Sequence, residues 1–144
     1  MKTKTQTQEF FDDIVKDIHQ LLKDNGFKKK ALNFYRCQNG FEHFINIQKS
    51  AYNSADCIRF TLNVCVDVLG QTPRSTMYDF AIRQRVGFID GDTDVWYDLD
   101  GEISDIFKRK QVFAEEKQAV LHDIAHIVLP FFERMNTAEK IANF

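Results

Sequence analysis

The sequence predicts an α+β fold: an antiparallel, curled sheet of four or five strands with N-terminal and C-terminal helices packed on one face. Three observations predict it. Apolar residues recur at helical spacing near both ends and at alternate positions through the middle. Turn-forming QNG, AYNSAD, GQTPRS and DGDT punctuate that middle part. No repeat, linker or low-complexity segment divides the 144 residues, so a single domain over residues 1–144 is expected, with frayed ends at 1–6 and 137–144.

The first helix is read from Phe10, Phe11, Ile14, Val15, Ile18, Leu21 and Leu22, which line one stripe, and Asn25-Gly26 supplies its left-handed stop. Strands follow at 32–37, 41–50, 57–69, 77–89 and 94–99. Ile45, Ile47, Phe60, Leu62, Val64, Val66, Val68, Ile82, Val86 and Phe88 share the parity assigned to the core. The last helix runs through Phe113, Val120, Ile124, Ile127, Val128 and Phe131. Pro130, which lacks an amide hydrogen, strands the carbonyl of His126 and bends or ends it.

Nineteen Lys and Arg against twenty-one Asp and Glu leave a formal charge of -2, too balanced for the broad positive field of a nucleic-acid binder. No run of apolar residues is long enough for a membrane span or an export signal, so the reading is a cytoplasmic protein. Cys37, Cys57 and Cys65 contain no CxxC pair and are read as free structural thiols.

The other strand parity carries the functional candidates. Asn46, Gln48, Thr61, Asn63, Asp67, Arg83, Arg85, Asp94, Trp96 and Asp98 all fall on the face opposite the core. Such a row is a solvated face or a binding face, because amides and guanidiniums form a dry layer only if every polar atom is paired. Two readings of Arg83 and Arg85 stand side by side. In one they pair with Asp67, Asp94 or Asp98 and stack on Trp96. In the other they form the floor of a site for a carboxylate, a phosphate or an acidic protein surface.

Other constellations are weaker. His122 and His126 have helical metal-site spacing without an evident third ligand. Asp90-Gly91-Asp92-Thr93-Asp94 begins like a calcium loop, but Val95 and Gly101 occupy the positions that need glycine and glutamate, so a turn is expected. Lys28, Lys29 and Lys30, with Arg36, form a basic cluster read as a solvated face. No phosphate loop, nucleophile elbow or HExxH motif is present, and no metal or other cofactor is expected.

Gly26-Phe27-Lys28-Lys29-Lys30, Phe34-Tyr35-Arg36, Ile45-Asn46-Ile47-Gln48-Lys49-Ser50, Phe60-Thr61-Leu62-Asn63-Val64, Arg83-Gln84-Arg85-Val86-Gly87 and Asp94-Val95-Trp96-Tyr97 occur in an order that resembles the bacterial domain-of-unknown-function 4304 family. The resemblance implies a compact α+β protein of the bacterial cytosol and brings no assigned activity. By analogy at the level of fold, small proteins of this kind serve as immunity partners of toxins.

The expected function is therefore a non-catalytic, immunity-like protein-binding module. Its contact residues are Arg83, Arg85, Gln48, Asn63, Trp96, Asp94 and Lys49, and its partner is another protein, a toxin in the immunity analogy. A monomer or weak homodimer is expected. The alternative is a small hydrolase or transferase in which the paired arginines hold an anionic substrate, with Asp67 or Asp94 beside it in a pocket.

Overall fold

The Thr5 hydroxyl accepts from the Gln8 amide and the Gln8 side chain accepts from the Thr5 amide, a reciprocal cap that starts helix α1 (Gln6–Lys23). The computed structural model describes residues 3–70 and 76–144. Helix α1 stops at the predicted place. Gly26 adopts φ +87°, and the amides of Gly26 and Phe27 reach back to the carbonyls of Lys23 and Leu22.

Six antiparallel strands make an open sheet: β1 (Lys28–Lys30), β2 (Asn33–Gln38), β3 (Phe41–Lys49), β4 (Cys57–Val68), β5 (Ile82–Arg85) and β6 (Tyr97–Asp100). The strand that the expected count omits is β1, a three-residue edge of exposed lysines. Short length and like charge protect such an edge from pairing with another chain. Asn39-Gly40, with φ +54° and +83°, makes the two-residue turn between β2 and β3. Strand β4 is the hub. One of its edges pairs with β3, and the other is divided between β6 at Cys57–Phe60 and β5 at Asn63–Val66.

Strand β5 is shorter than the predicted 77–89. Turns of 3-10 helix at Met77–Asp79 and Val86–Phe88 flank it. A Cβ on Gly87 would lie 2.1 Å from the Thr93 carbonyl oxygen and 2.8 Å from Val95 Cγ2, so the chain crosses Thr93–Val95 too closely for any side chain there. The crossing takes Phe88 out of the strand alternation. Phe88, and Val68 at the last position of β4, are each 37 % exposed rather than core. The predicted GQTPRS turn lies, after Gly70, outside the described residues, as do Met1 and Lys2.

Helix α2 (Ile106–Asp123) passes through a π-turn at Ile124–Val128 into α3 (Leu129–Arg134). The Leu129 amide donates to the carbonyl of Ile124, five residues back. This extra residue makes room for the Pro130 ring, which otherwise collides with the preceding turn. The expected frayed tail is instead a short helix, α4 (Ala138–Ala142), capped by Thr137, with Ile141 buried. No helix among the described residues is long and apolar enough to cross a membrane.

The helices bury one face of the sheet. Phe11 meets Phe60 at 5.2 Å between ring centroids, Phe10 meets Phe113 at 5.3 Å, and Ile45, Leu62, Val64 and Leu99 are fully buried beneath them. The Tyr97 hydroxyl, held protonated by burial and by its carboxylate neighbour, donates to Asp123 (2.6 Å) and ties β6 to α2.

Candidate functional site

Strand register sets Asn33, Asn46, Asn63 and Arg85 in one row across β2 to β5, on the face away from the helices. Their carboxamides form a relay. Asn46 Nδ2 donates to Asn33 Oδ1 (2.7 Å), while Asn63 Nδ2 donates to Asn46 Oδ1 (3.1 Å) and to Gln48 Oε1 (2.8 Å). Beside the relay the Thr61 hydroxyl donates to the Val95 carbonyl (2.6 Å). Asn63 is 3 % exposed, and Thr61 and Cys65 are fully buried, so the centre of this face is dry and tolerated because its amides satisfy one another. Burial also pushes the Cys65 thiol up to about 12, which keeps it protonated.

Beyond the relay, one carboxylate oxygen organises two side chains. Arg85 Nη1 (2.6 Å) and Trp96 Nε1 (3.0 Å) both donate to Asp94 Oδ2. The guanidiniums of Arg85 and Arg59 lie 5.2 and 5.6 Å from the Trp96 ring centroid, in cation–π range. Arg83, opposite Cys65, is on the same face, 4.4 Å from the ring of Tyr78, and makes no ion pair among the described residues. Tyr78 is 67 % exposed.

Six of the predicted contact residues, Arg83, Arg85, Gln48, Asn63, Trp96 and Asp94, thus share one face, with Arg85 already occupied by Asp94. The seventh does not. Lys49 is opposite Phe60, on the helix-covered side, with Nζ 5.5 Å from the Phe11 ring centroid. Alternation decides it: with Gln48 outward, Lys49 turns inward. Arg59 and Tyr78 are absent from the predicted set. Arg59 has the parity of Thr61 and Asn63, a usable signal, whereas Tyr78 arrives through a 3-10 turn that no alternation marks.

A cleft of about 560 Å³ opens at the other end of this face. Asn33, Asn46, Tyr35 and Phe44 form its floor, Lys30 and Ala31 one lip, and Thr76, Met77 and Phe80 the facing wall. The Phe44 and Phe80 rings are 5.5 Å apart. Ala31 adopts φ +54° in the two-residue turn that sets Lys30 opposite Asn33, a left-handed conformation costing about 1 kcal/mol for a residue with a Cβ. Neither Asp67 nor Asp94 lines the cleft. Asp67 accepts from the backbone amides of Val68 and Ala81 instead.

The helix-covered face holds an arginine of a different kind. Arg36, expected in a solvated basic cluster, has a side chain only 7 % exposed. Its Nε donates to His43 Nδ1 (2.8 Å) and its Nη1 to the Asn25 carbonyl (2.7 Å), while Glu133 stands 3.6 Å from Nη2. The guanidinium lies 4.5 Å from the Phe27 ring centroid, and His43 stacks on Phe132 at 4.3 Å. Burial, with the neighbouring cation, lowers His43 to about 4.

The remaining constellations do not converge on chemistry. His122 and His126 are exposed, with rings 4.3 Å apart, and no third ligand residue joins them among those described. Cys57, Asp100 and Glu102 bring ligand atoms within 4.8 Å of one another, but burial and the adjacent acids push the thiol up, away from the thiolate a metal takes. In the Asp90–Asp94 turn, Asp90 pairs with Arg134 and Asp94 with Arg85.

A family model described as a domain of unknown function (DUF4304) matches residues 18–134. No curated protein and no solved structure matches the chain.

Proposed function

The chain belongs to the DUF4304 family, and from that premise, which carries no activity with it, we propose that the protein is a non-catalytic binding module that takes a carboxylate-bearing protein surface on its outer sheet face. One observation carries this reading: Arg83, an exposed guanidinium with no ion pair among the described residues, stands on the same face as the Arg59–Trp96–Arg85 stack. Arginine, tryptophan and tyrosine are the residue types that dominate binding energy at protein interfaces. Here Asp94 holds the tryptophan and one arginine in place before any partner arrives, which reduces the entropy cost of binding.

The hydrolase or transferase alternative asks for Asp67 or Asp94 beside a cavity. Both carboxylates are engaged elsewhere, and neither lines the cleft. The recognition chemistry is that of an acidic protein surface, a class in which an acidic toxin and other acidic proteins are equivalent. A bacterial cytosol suits three unpaired cysteines, since thiols stay reduced there.

The test is a pull-down from bacterial lysate followed by titration of the recovered partner. An acidic partner is expected, bound more weakly as salt rises. Charge reversal at Arg59 and Arg83 together should weaken it about thirtyfold, the equivalent of one interface hot spot. Equal binding by the folded double variant would overturn the proposal.

A further inference from the structure

The cleft beside the amide relay has a ligand chemistry of its own, independent of any protein partner. We infer that it binds a small amphipathic carboxylate, with the acid group at Lys30 and Asn33 and a flat apolar body against Phe44, Met77 and Phe80.

The relay has a direction. Asn63 donates to Asn46 and to Gln48, and Asn46 donates to Asn33, so the Asn33 oxygen accepts within the relay while its Nδ2 has no partner among the described residues. Lys30 is the register partner of Asn33, exposed on the same side of the sheet and likewise without a hydrogen bond or ion pair there. Two donors, one of them cationic, therefore emerge together at one end of the cleft, and a carboxylate is the acceptor that matches both. The left-handed Ala31 between them holds this pair together at the lip, and strained backbone of this kind concentrates at ligand clamps.

Beyond the donor end the cleft is lined mainly by aromatic and apolar side chains, with Thr76, the Tyr35 hydroxyl and Glu42 as its polar groups. Phe44 and Phe80 touch along its side, with ring centroids 5.5 Å apart, and Met77 supplies an adaptable side chain beside them. A volume of about 560 Å³ is the size of a small-molecule site. Glu42 also lines it, four residues along β3 from Asn46 and so ~13 Å from the donor end at the usual rise of a strand. Glu42 is partnered already. The polarity runs from a donor end through an aromatic middle to the carboxylate of Glu42.

Titration with 2-naphthoate, followed by the side-chain amide signals of Asn33 and Asn46 in NMR, tests this. Saturable shifts at both amides are expected, with affinity lowered about tenfold by Lys30→Glu, and the uncharged 2-naphthylmethanol should bind about tenfold more weakly than the acid. Lys29→Glu is the control, since Lys29 pairs with Phe34 and belongs to the other face. Absent or non-saturable shifts, equal affinity for the alcohol, or equal losses from Lys29→Glu and Lys30→Glu would overturn the inference. None of these results bears on whether Arg59 and Arg83 hold a protein.

Discussion

Arg36 and Arg83 are on opposite faces of one sheet, and the contrast between them separates what holds this fold together from what is available for binding. Arg36 is enclosed by Phe27, Phe132, His43, Asn25 and Glu133, so the turn that follows helix α1, strands β2 and β3 and helix α3 all meet at one guanidinium. Arg83 touches one exposed tyrosine. The same side chain is a tie in one place and an unoccupied donor in the other, and the environment supplied by its neighbours makes the difference.

The largest break in this comparison is Arg36→Met. Methionine keeps much of the volume but removes the donors to His43 and Asn25 and the stacking on Phe27, so a loss on the order of 3 kcal/mol is expected in chemical denaturation. A loss no greater than that of Arg83→Met would show that the enclosed cation is not a tie.

His43 sharpens the same contrast through pH. Its neutral Nδ1 accepts from Arg36, and its folded pKa of about 4 is below the ordinary value of 6.5. The unfolded chain therefore takes up the proton first. The stability contribution is complete above pH 6.5 and falls as pH drops from 6.5 towards 4, on the order of 3 kcal/mol over the window. Unfolding free energies measured between pH 7 and 5 should slope in the native protein and flatten in His43→Gln, whose amide oxygen can still accept from Arg36. An unchanged slope would place the proton uptake elsewhere.

Much of this is legible in the sequence. Asn25-Gly26 and Asn39-Gly40 mark their turns because few residues tolerate positive φ, and the spacing of Arg83 and Arg85 puts both on one side of any strand. The errors have physical causes. Lys49 is next to Gln48 in sequence, and adjacent strand residues face opposite ways, so only one of the two belongs to the outer face. Arg36 follows the parity of buried Phe34, but its charge argued for water, and the partners that compensate its burial come from distant segments. Phe88 leaves the strand parity because of the close crossing at Gly87, which depends on where residues 93–95 pass. The cleft was illegible for the same reason: its wall at Thr76–Phe80 and its floor on β2 and β3 come together only in the fold.

Asp94 is intermediate between the two arginines. Asp94→Asn keeps the shape of the carboxylate but weakens its attraction for Arg85 and leaves the contact to Trp96 dependent on one amide oxygen. The ion pair is about one-third exposed, so the stability cost should be near ~1 kcal/mol. The signature is local: Trp96 fluorescence should change in the folded state as the indole loses its anchor. An unchanged emission spectrum would mean that the stack with Arg59 and Arg85 is held by packing alone.

The smallest effect on stability, and the one that decides the comparison, belongs to Arg83. Its guanidinium is exposed and its only described interaction is with an exposed ring, so Arg83→Ala should shift unfolding by no more than ~0.5 kcal/mol. If Arg83 is a binding residue, the same substitution should weaken an acidic partner severalfold while Arg36→Lys, on the enclosed side, alters stability and leaves the affinity of the folded fraction unchanged. The reverse pattern, with Arg83→Ala lowering stability and sparing the partner, would make the outer arginine one more structural tie.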